Sequence, residues 1–397
     1  MIKGIQGKQI NGEIQAIPSK SYAHRIAICN FLAGNEPVSG VKGFTSKDIT
    51  VTEICLKNLV ERKNVLDCGE SGSTLRFLLP LTGVLGGEYE FIGHGKLMER
   101  PNEELFEVLN AHGVKTIKDK TIRTFGKLTA GEYRIRGDIS SQYVSGLLMA
   151  LPYLEGDSKI VLTTPLASAP YVDITLEVLK KFGVNIKKTD YGFDIKGNAK
   201  YNGKVLAEGD WSNSAFFLVL GCICGTVKVN GLNVDSVQGD RYITEIIKKA
   251  GGTIFYQGDS VVAQKSTLKG FTFDAENCPD LVPIACVLAG FSKGESVIKN
   301  ISRLKIKESD RVETTISMLS SFGIKATTDG KDIVVYGGSP TNGNSESFND
   351  HRIAMSSAIM GMGVQGESKI LGAEAVTKSY PTFFEDLNKV GANSYDL

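Results

Sequence analysis

The chain has 397 residues, 42% hydrophobic and 22% charged, with 45 Lys and Arg against 44 Asp and Glu and a formal net charge of +1. That length exceeds a comfortable single core and predicts two domains. The balanced charge excludes a broad nucleic-acid or membrane surface, so an electropositive site must be local and its partner small.

Seven cysteines form an odd set, and Met1 is followed by IKGIQGKQINGE, which has no signal-like hydrophobic region. The uncharged apolar stretches 215–227 and 281–291 are shorter than the about 20 residues that span a bilayer, and a cytoplasmic protein is expected. Cys222 and Cys224 lack CxxC spacing and a nearby histidine, and the four histidines form no HExxH pair, so neither a metal nor a cofactor is expected.

In chain order, a strand precedes Ile17–Pro18, and a helix follows over PSKSYAHRIAICNFLAG with Ser21 as N-cap and Gly34 as C-cap. LVERKNVLD (59–67) then opens a repeat whose clearer copies are LNAHGVKTI (109–117), LKKFGVNIK (179–187), IKKAGGTIF (247–255), LSSFGIKAT (319–327) and LNKVGANSY (387–395). Each joins an amphipathic helix through a glycine to a strand-like run. Gly113, Gly183, Gly251, Gly323 and Gly391 are spaced 70, 68, 72 and 68 positions apart, and Lys63 takes the glycine's place in the first copy. Six copies of a mixed α/β unit divide into three and three, with a join near DSVQGDR (235–241).

Polar motifs fall where helices are predicted to start: PSKSY, CGESGSTLRF, GDISSQYV, NCPDLVP, IKESDRVE and NDHRIAM. Singly, Ser21, Ser140, Asp280 and Asp350 read as caps, and Lys307 and Arg311 as a solvated face at i and i+4. Yet Lys20, Arg76, Lys307 and Arg352 place cations at positive dipole ends, unfavourable by roughly 0.3–1 kcal/mol each. An anionic ligand shared by dipoles and cations resolves the conflict. GESGST lacks both GK[ST] and GxGxxG, which argues against an ATPase or NAD enzyme.

IPSKSYAHR, SGSTLRF, ERPNEEL, GDISSQ, KESDR, NDHRIAM and TKSYPTFF, in this order, resemble the EPSP synthase (3-phosphoshikimate 1-carboxyvinyltransferase) family over nearly the whole chain. The resemblance implies a two-domain inside-out α/β barrel of six repeated units, three per domain. Residues 1–19 plus 238–397 would form one domain and 20–237 the other, with the active site in the cleft between them. It also implies transfer of the enolpyruvyl group of phosphoenolpyruvate to the 5-hydroxyl of shikimate 3-phosphate, with release of phosphate, by a monomer that needs no nucleic acid or membrane.

Carried over residue by residue, the resemblance assigns Lys20, Ser21, Arg25, Ser140, Ser141, Gln142, Ser168, Tyr171, Asp280 and Lys307 to shikimate 3-phosphate. It assigns Lys20, Gly72, Arg100, Gln142, Arg311, Arg352 and Lys378 to phosphoenolpyruvate. Asp280 is the implied base, Glu308 the implied acid, and Lys20 the third implied catalytic residue, close enough to relay or stabilise charge.

The chain departs from its relatives in places: Glu70-Ser71-Gly72-Ser73 stands where many have Asn-Ala-Gly-Thr, Phe77 where many have proline, and Arg303 where some have asparagine. Glu70 is expected to point away from the phosphoenolpyruvate site or to pair with a cation. Gly72 is retained, so inhibition by glyphosate is expected. UDP-N-acetylglucosamine enolpyruvyl transferases are disfavoured because Lys20 is followed by Ser21 and no cysteine lies between Cys68 and Cys222. A non-catalytic binder of phosphorylated ligands is disfavoured because Lys20, Asp280 and Glu308 are all present.

Overall fold

The computed structural model describes residues 1–39 and 46–397. Two compact units divide the chain: Met1–Ser19 with Glu208–Leu397, and Lys20–Ala207.

The first unit holds three four-stranded sheets with one connectivity. In the plainest, Thr272–Asp274 lies parallel to Gly294–Lys299, which pairs antiparallel with Ile333–Gly337, itself the partner of Lys325–Thr328. A parallel pair needs a crossover helix and a hairpin needs only a turn, so each unit reads strand, helix, strand, helix, hairpin. A second sheet pairs Ile10–Gln15 in parallel with Gly225–Asn230 and adds the hairpin Thr253–Gln257 and Ser260–Gln264. In the third, Asn344–Glu346, Glu367–Leu371 and Asn393–Asp396 are completed by Ile2–Gln6 from the start of the chain.

The pairing of Ile10–Gln15 with Gly225–Asn230 moves one expected boundary. Residues 208–237 belong to the first unit, so the join expected at 237/238 lies at 207/208. The second unit interrupts a repeat between its first strand and its first helix, Trp211–Cys224. The polar DSVQGDR stretch leads into a 3-10 turn, Gly239–Tyr242, inside the first unit.

The second unit repeats this sheet order twice. One sheet comprises Val65–Asp67, Gly87–Ile92, Val114–Lys118 and Ile122–Gly126; the other comprises Glu132–Ile135, Ser158–Leu162, Lys187–Thr189 and Gly192–Ile195. The remaining repeat contributes the helices Lys20–Leu32 and Lys47–Val60; residues 40–45 between them lie outside the described residues.

The crossover helices are the core. Trp211–Cys224, Val282–Gly290 and His351–Met362 are buried on every face and pack on one another, as do Gly72–Leu85 and Ser141–Ala150 in the second unit. Helices apolar all round belong inside, while hairpin strands such as Thr253–Gln257 and Lys325–Thr328 stay largely exposed. This is the inside-out α/β arrangement. Each fully buried Leu, Ile or Phe contributes roughly 1.5–3 kcal/mol. Gly146 lets Ser141–Ala150 approach Gly72–Leu85 closely, since a Cβ there would lie 2.6 Å from the Arg76 carbonyl oxygen.

Each repeat glycine sits one residue past a helix C-cap. All five have φ between 74° and 102°. In four copies the glycine N–H bonds three residues back and the next N–H five residues back, as at Gly183 to Lys180 and Val184 to Leu179. The first copy makes the same pair of bonds one position earlier, from Arg62 to Leu59 and from Lys63 to Asn58. Its left-handed residue is therefore Arg62, at φ 58°, rather than Lys63. An L-residue there costs roughly 1–2 kcal/mol, so Arg62→Gly is expected to stabilise the second unit by about 1 kcal/mol, read as a higher urea midpoint at unchanged slope.

Candidate active site

Because the central helices of the first unit pack on one another, their N-termini meet. Ser212 stands in the first turn of Trp211–Cys224, Asp280 in the 3-10 turn Pro279–Leu281 that leads into Val282–Gly290, and Arg352 at the start of His351–Met362. Arg352 Nη2 donates to Asp280 Oδ2 at 2.9 Å and to Ser212 Oγ at 3.2 Å, which ties the three starts together.

Arg311 is the hub. Its side chain is 1% exposed, and its Nη1 donates to Asp280 Oδ1 at 2.8 Å, Nη2 to Glu308 Oε2 at 2.7 Å, and Nε to Asp350 Oδ2 at 2.8 Å. A further bond from Nη2 to Asp350 Oδ1, 3.3 Å, brings four of the five guanidinium N–H groups onto carboxylates. Asp350 is fully buried, caps His351–Met362 by accepting from the Arg352 N–H, and accepts from Ser309 Oγ. Phe348 and Asn349, both left-handed, turn the chain into this cap, and the Asn349 carbonyl oxygen accepts from Lys378 Nζ at 2.7 Å.

The segment RLKIKESDRVE is no continuous helix. Ser302–Ile306 is a 3-10 turn, Lys307 is extended, and the helix Arg311–Ser321 starts only after Asp310 caps it through the Val312 and Glu313 N–H groups. The break aims Lys307 at Asp280, 3.6 Å away, where an unbroken helix would have made a solvated face with Arg311. Lys305 is exposed and Arg303 half-buried.

Burial pushes the Asp280 carboxyl up, but Arg352, Lys307 and Arg311 outweigh it and hold the group well below the usual carboxylate range. Burial pulls the Lys307 amine below its ordinary value, against the attraction of Asp280. Arg311 lies well above its ordinary value: burial opposes its charge, while Asp350, Glu308 and Asp280 more than compensate. The cations that seemed to demand an anion are thus met here by acids of the same cluster.

The second unit gathers its polar residues at helix starts as well. Lys20 opens Lys20–Leu32, so Ser21, expected as the cap, lies inside the first turn. Lys20 Nζ is 2.8 Å from Asp48 Oδ2. Arg25 is buried: Nε donates to Thr175 Oγ1, Nη1 to the Ser21 carbonyl oxygen, and Nη2 to Ser145 Oγ and the Tyr171 carbonyl oxygen. Burial brings its pKa down to about 10. Arg25 thus fixes the backbone at Ser21 and Tyr171 rather than presenting an open fork.

Ser140 caps Ser141–Ala150, and Gln142 is gripped between Arg76 Nη1, 2.7 Å from its Oε1, and Ser73 Oγ, 2.9 Å from its Nε2. A Cβ at Gly72 would lie 2.7 Å from Arg100 Nη1, so glycine there lets the guanidinium sit on the backbone. Ser168, buried at φ 55°, is left-handed; backbone strain of this kind gathers at ligand sites. The Glu70 carboxylate lies against Gly95 beside His94, where a Cβ on Gly95 would be 2.9 Å from Glu70 Oε2.

Of the residues expected from sequence, Asp280, Lys307, Glu308, Arg311 and Arg352 form one cluster, with Lys378 on the neighbouring Asn349 carbonyl. Lys20, Ser21, Arg25 and Tyr171 belong to the second unit, as do Gly72, Arg100, Ser140, Ser141, Gln142 and Ser168. Sequence reasoning gave Asp350 only a cap and Arg76 only a place at a helix start, and it missed Asp48 and Ser212. NDHRIAM itself could have flagged Asp350; nothing local marks the others.

The EPSP synthase (3-phosphoshikimate 1-carboxyvinyltransferase) family model matches residues 45–387. The chain is 39% identical to the 3-phosphoshikimate 1-carboxyvinyltransferase of Clostridium novyi, over 96% of each chain, and 40% identical to that of Clostridium kluyveri, over 98% of this chain and 96% of the other. Among solved structures, an EPSP synthase from Acinetobacter baumannii shares the fold over the full length of both chains, with a TM-score of 0.78 at 23% identity. The enolpyruvyl transferase NikO from Streptomyces tendae also gives 0.78, at 16% identity, over 99% of this chain and 98% of its own. With the match covering most of its length, the chain belongs to the EPSP synthase family.

Proposed function

We propose that this enzyme transfers the enolpyruvyl group of phosphoenolpyruvate to the 5-hydroxyl of shikimate 3-phosphate, releasing phosphate, with the residues of the first unit's cluster as its acid–base centre. The observation that carries this reading is Arg311, which joins Asp280 and Glu308 through its two terminal nitrogens. The net reaction forms a bond from the hydroxyl oxygen to C2 of phosphoenolpyruvate and breaks the C2–O bond to phosphate. Addition takes the hydroxyl proton and delivers one to C3; elimination removes a C3 proton as phosphate leaves.

Asp280 is the base. Its depressed pKa keeps it ionised, and substrate anions that engage Arg352 and Lys307 draw off the positive field that holds it down, so its basicity rises when the substrates are in place. Glu308, with a side chain 25% exposed, can reload its proton from solvent and act as the acid. Arg311, Arg352, Lys378 and Arg100 hold the phosphate and carboxylate of phosphoenolpyruvate, with Gly72 and Gln142. Binding at Arg311 requires that carboxylate bonds be exchanged, because four of its donors are engaged. Lys20, Ser21, Arg25, Ser140, Ser141, Ser168, Tyr171 and Lys307 form the shikimate 3-phosphate side.

Seven buried, unbridged cysteines fit a reducing cytoplasm, and the reading takes the chain as a monomer there. Among the described residues no helix is long and apolar enough to cross a membrane.

Phosphate release from phosphoenolpyruvate, measured with and without shikimate 3-phosphate, tests the assignment. Release is expected only with both substrates, together with a product heavier than shikimate 3-phosphate by the enolpyruvyl group. Release indifferent to the second substrate, or none, contradicts it.

A further inference from the structure

Asp240 has no part in the reading above, yet it stands behind Arg352. It lies in the turn Gly239–Tyr242 and is 4% exposed. Its Oδ2 accepts the Ser212 hydroxyl; Ser212 Oγ accepts from Arg352 Nη2, which also donates to Asp280 Oδ2. The other oxygen, Oδ1, is buried and accepts no hydrogen bond among the described residues. A buried acid with one oxygen unsatisfied disfavours its own ionisation and invites a functional explanation.

We propose that Asp240 is a positioning residue which, through Ser212, sets the orientation and effective charge of the Arg352 guanidinium and hence its grip on the anionic group of phosphoenolpyruvate. The inference rests on the assignment of Arg352 to that substrate.

Asp240 is faced by Asp280 from Pro279–Leu281, Arg352 from His351–Met362, Asp210 at the cap of Trp211–Cys224, Lys307 from the extended segment, and the Cys278 thiol. Burial, then Asp280 and Asp210, raise its carboxyl to about 7 against the pull of Arg352 and Lys307. Below that pH the acid is neutral and Arg352 keeps its full charge for the substrate. Above it the carboxylate offsets that charge, so affinity for the anion falls as pH rises. Asparagine at 240 keeps the neutral state throughout.

The test compares the KM for phosphoenolpyruvate at about pH 8 and about pH 6 in the wild type and in Asp240→Asn. The substrate's own phosphate titrates alike in both proteins, so the quotient of the two ratios isolates residue 240. The wild-type ratio should be the larger by about fivefold, the size of one charge acting across a few ångströms of partly hydrated protein. Equal ratios overturn the proposal, including the case in which kcat alone falls, which marks a merely structural role.

A second readout needs no turnover: the ¹³C titration of the Asp240 carboxyl in ligand-free protein. Its midpoint should rise in Arg352→Met, because the arginine favours the ionised form. An unmoved midpoint overturns the proposal; a raised midpoint in a protein that releases no phosphate upholds the coupling and sinks the transferase assignment alone.

Discussion

Asp280→Asn will slow shikimate 3-phosphate-dependent phosphate release about 100- to 10,000-fold, the range for loss of a general base. Asparagine keeps the size of the side chain and an acceptor oxygen for one of the two arginines, Arg311 or Arg352, but it cannot take the hydroxyl proton. It also removes the countercharge shared by Arg311, Arg352 and Lys307, so the cations are left more available to an anion. The loss should therefore fall on kcat, while the KM for phosphoenolpyruvate holds or decreases. Steady-state kinetics with circular dichroism as a check on folding decides the matter. A kcat within about threefold of wild type would remove Asp280 from the chemistry, since even a modest base contributes more.

Arg311→Met will destabilise the first unit by roughly 3–5 kcal/mol, because it strands charges that are costly to bury alone. Asp350 is fully buried and loses both of its guanidinium bonds, while Glu308 and Asp280 each lose one. Methionine fills much of the stem volume, so the effect reports charge rather than a cavity. For a unit of this size the calorimetric midpoint should drop by roughly 6–20 °C. The pH dependence has a definite sign. Arg311 helps hold the Asp280 pKa down, and a depressed carboxyl contributes stability above its unfolded pKa that is lost as pH falls through the folded one. The deficit of the variant should accordingly shrink only as pH falls below about 4, the ordinary carboxyl value of the unfolded chain, toward the depressed value of folded Asp280. A midpoint within about 2 °C of wild type at neutral pH would show that the cluster does not depend on this residue. Arg311→Lys should lose less, since a point charge remains without the fork.

The repeat was legible because a helix that ends on a left-handed residue needs glycine, and Gly113, Gly183, Gly251, Gly323 and Gly391 print that need at regular intervals. Where the chain spends an arginine instead, at Arg62, the same bonds form and the sequence register slips by one. The helix starts were legible for a similar reason: the unpaired N–H groups of a first turn need polar partners, and caps supply them there. Start positions were less exact, as Ser21 and the broken segment before Arg311 show, because a 3-10 turn and an extended residue use the same polar alphabet as a cap.

Local features are written in the chain itself: six α/β repeats, their caps, the cations and acids at helix starts, and, by resemblance of whole motifs, the family. Folding in three dimensions brought Ile10–Gln15 beside Gly225–Asn230, which moves the unit boundary to 207/208 and places 208–237 with the first unit. It also decided that Arg311 is spent on three acids, that Arg25 braces backbone, and that Asp240 stands behind Arg352 through Ser212. Strand pairing and ion pairing join residues from tens to hundreds of positions apart, and their energies depend on burial and distance, quantities that exist only once the chain has folded.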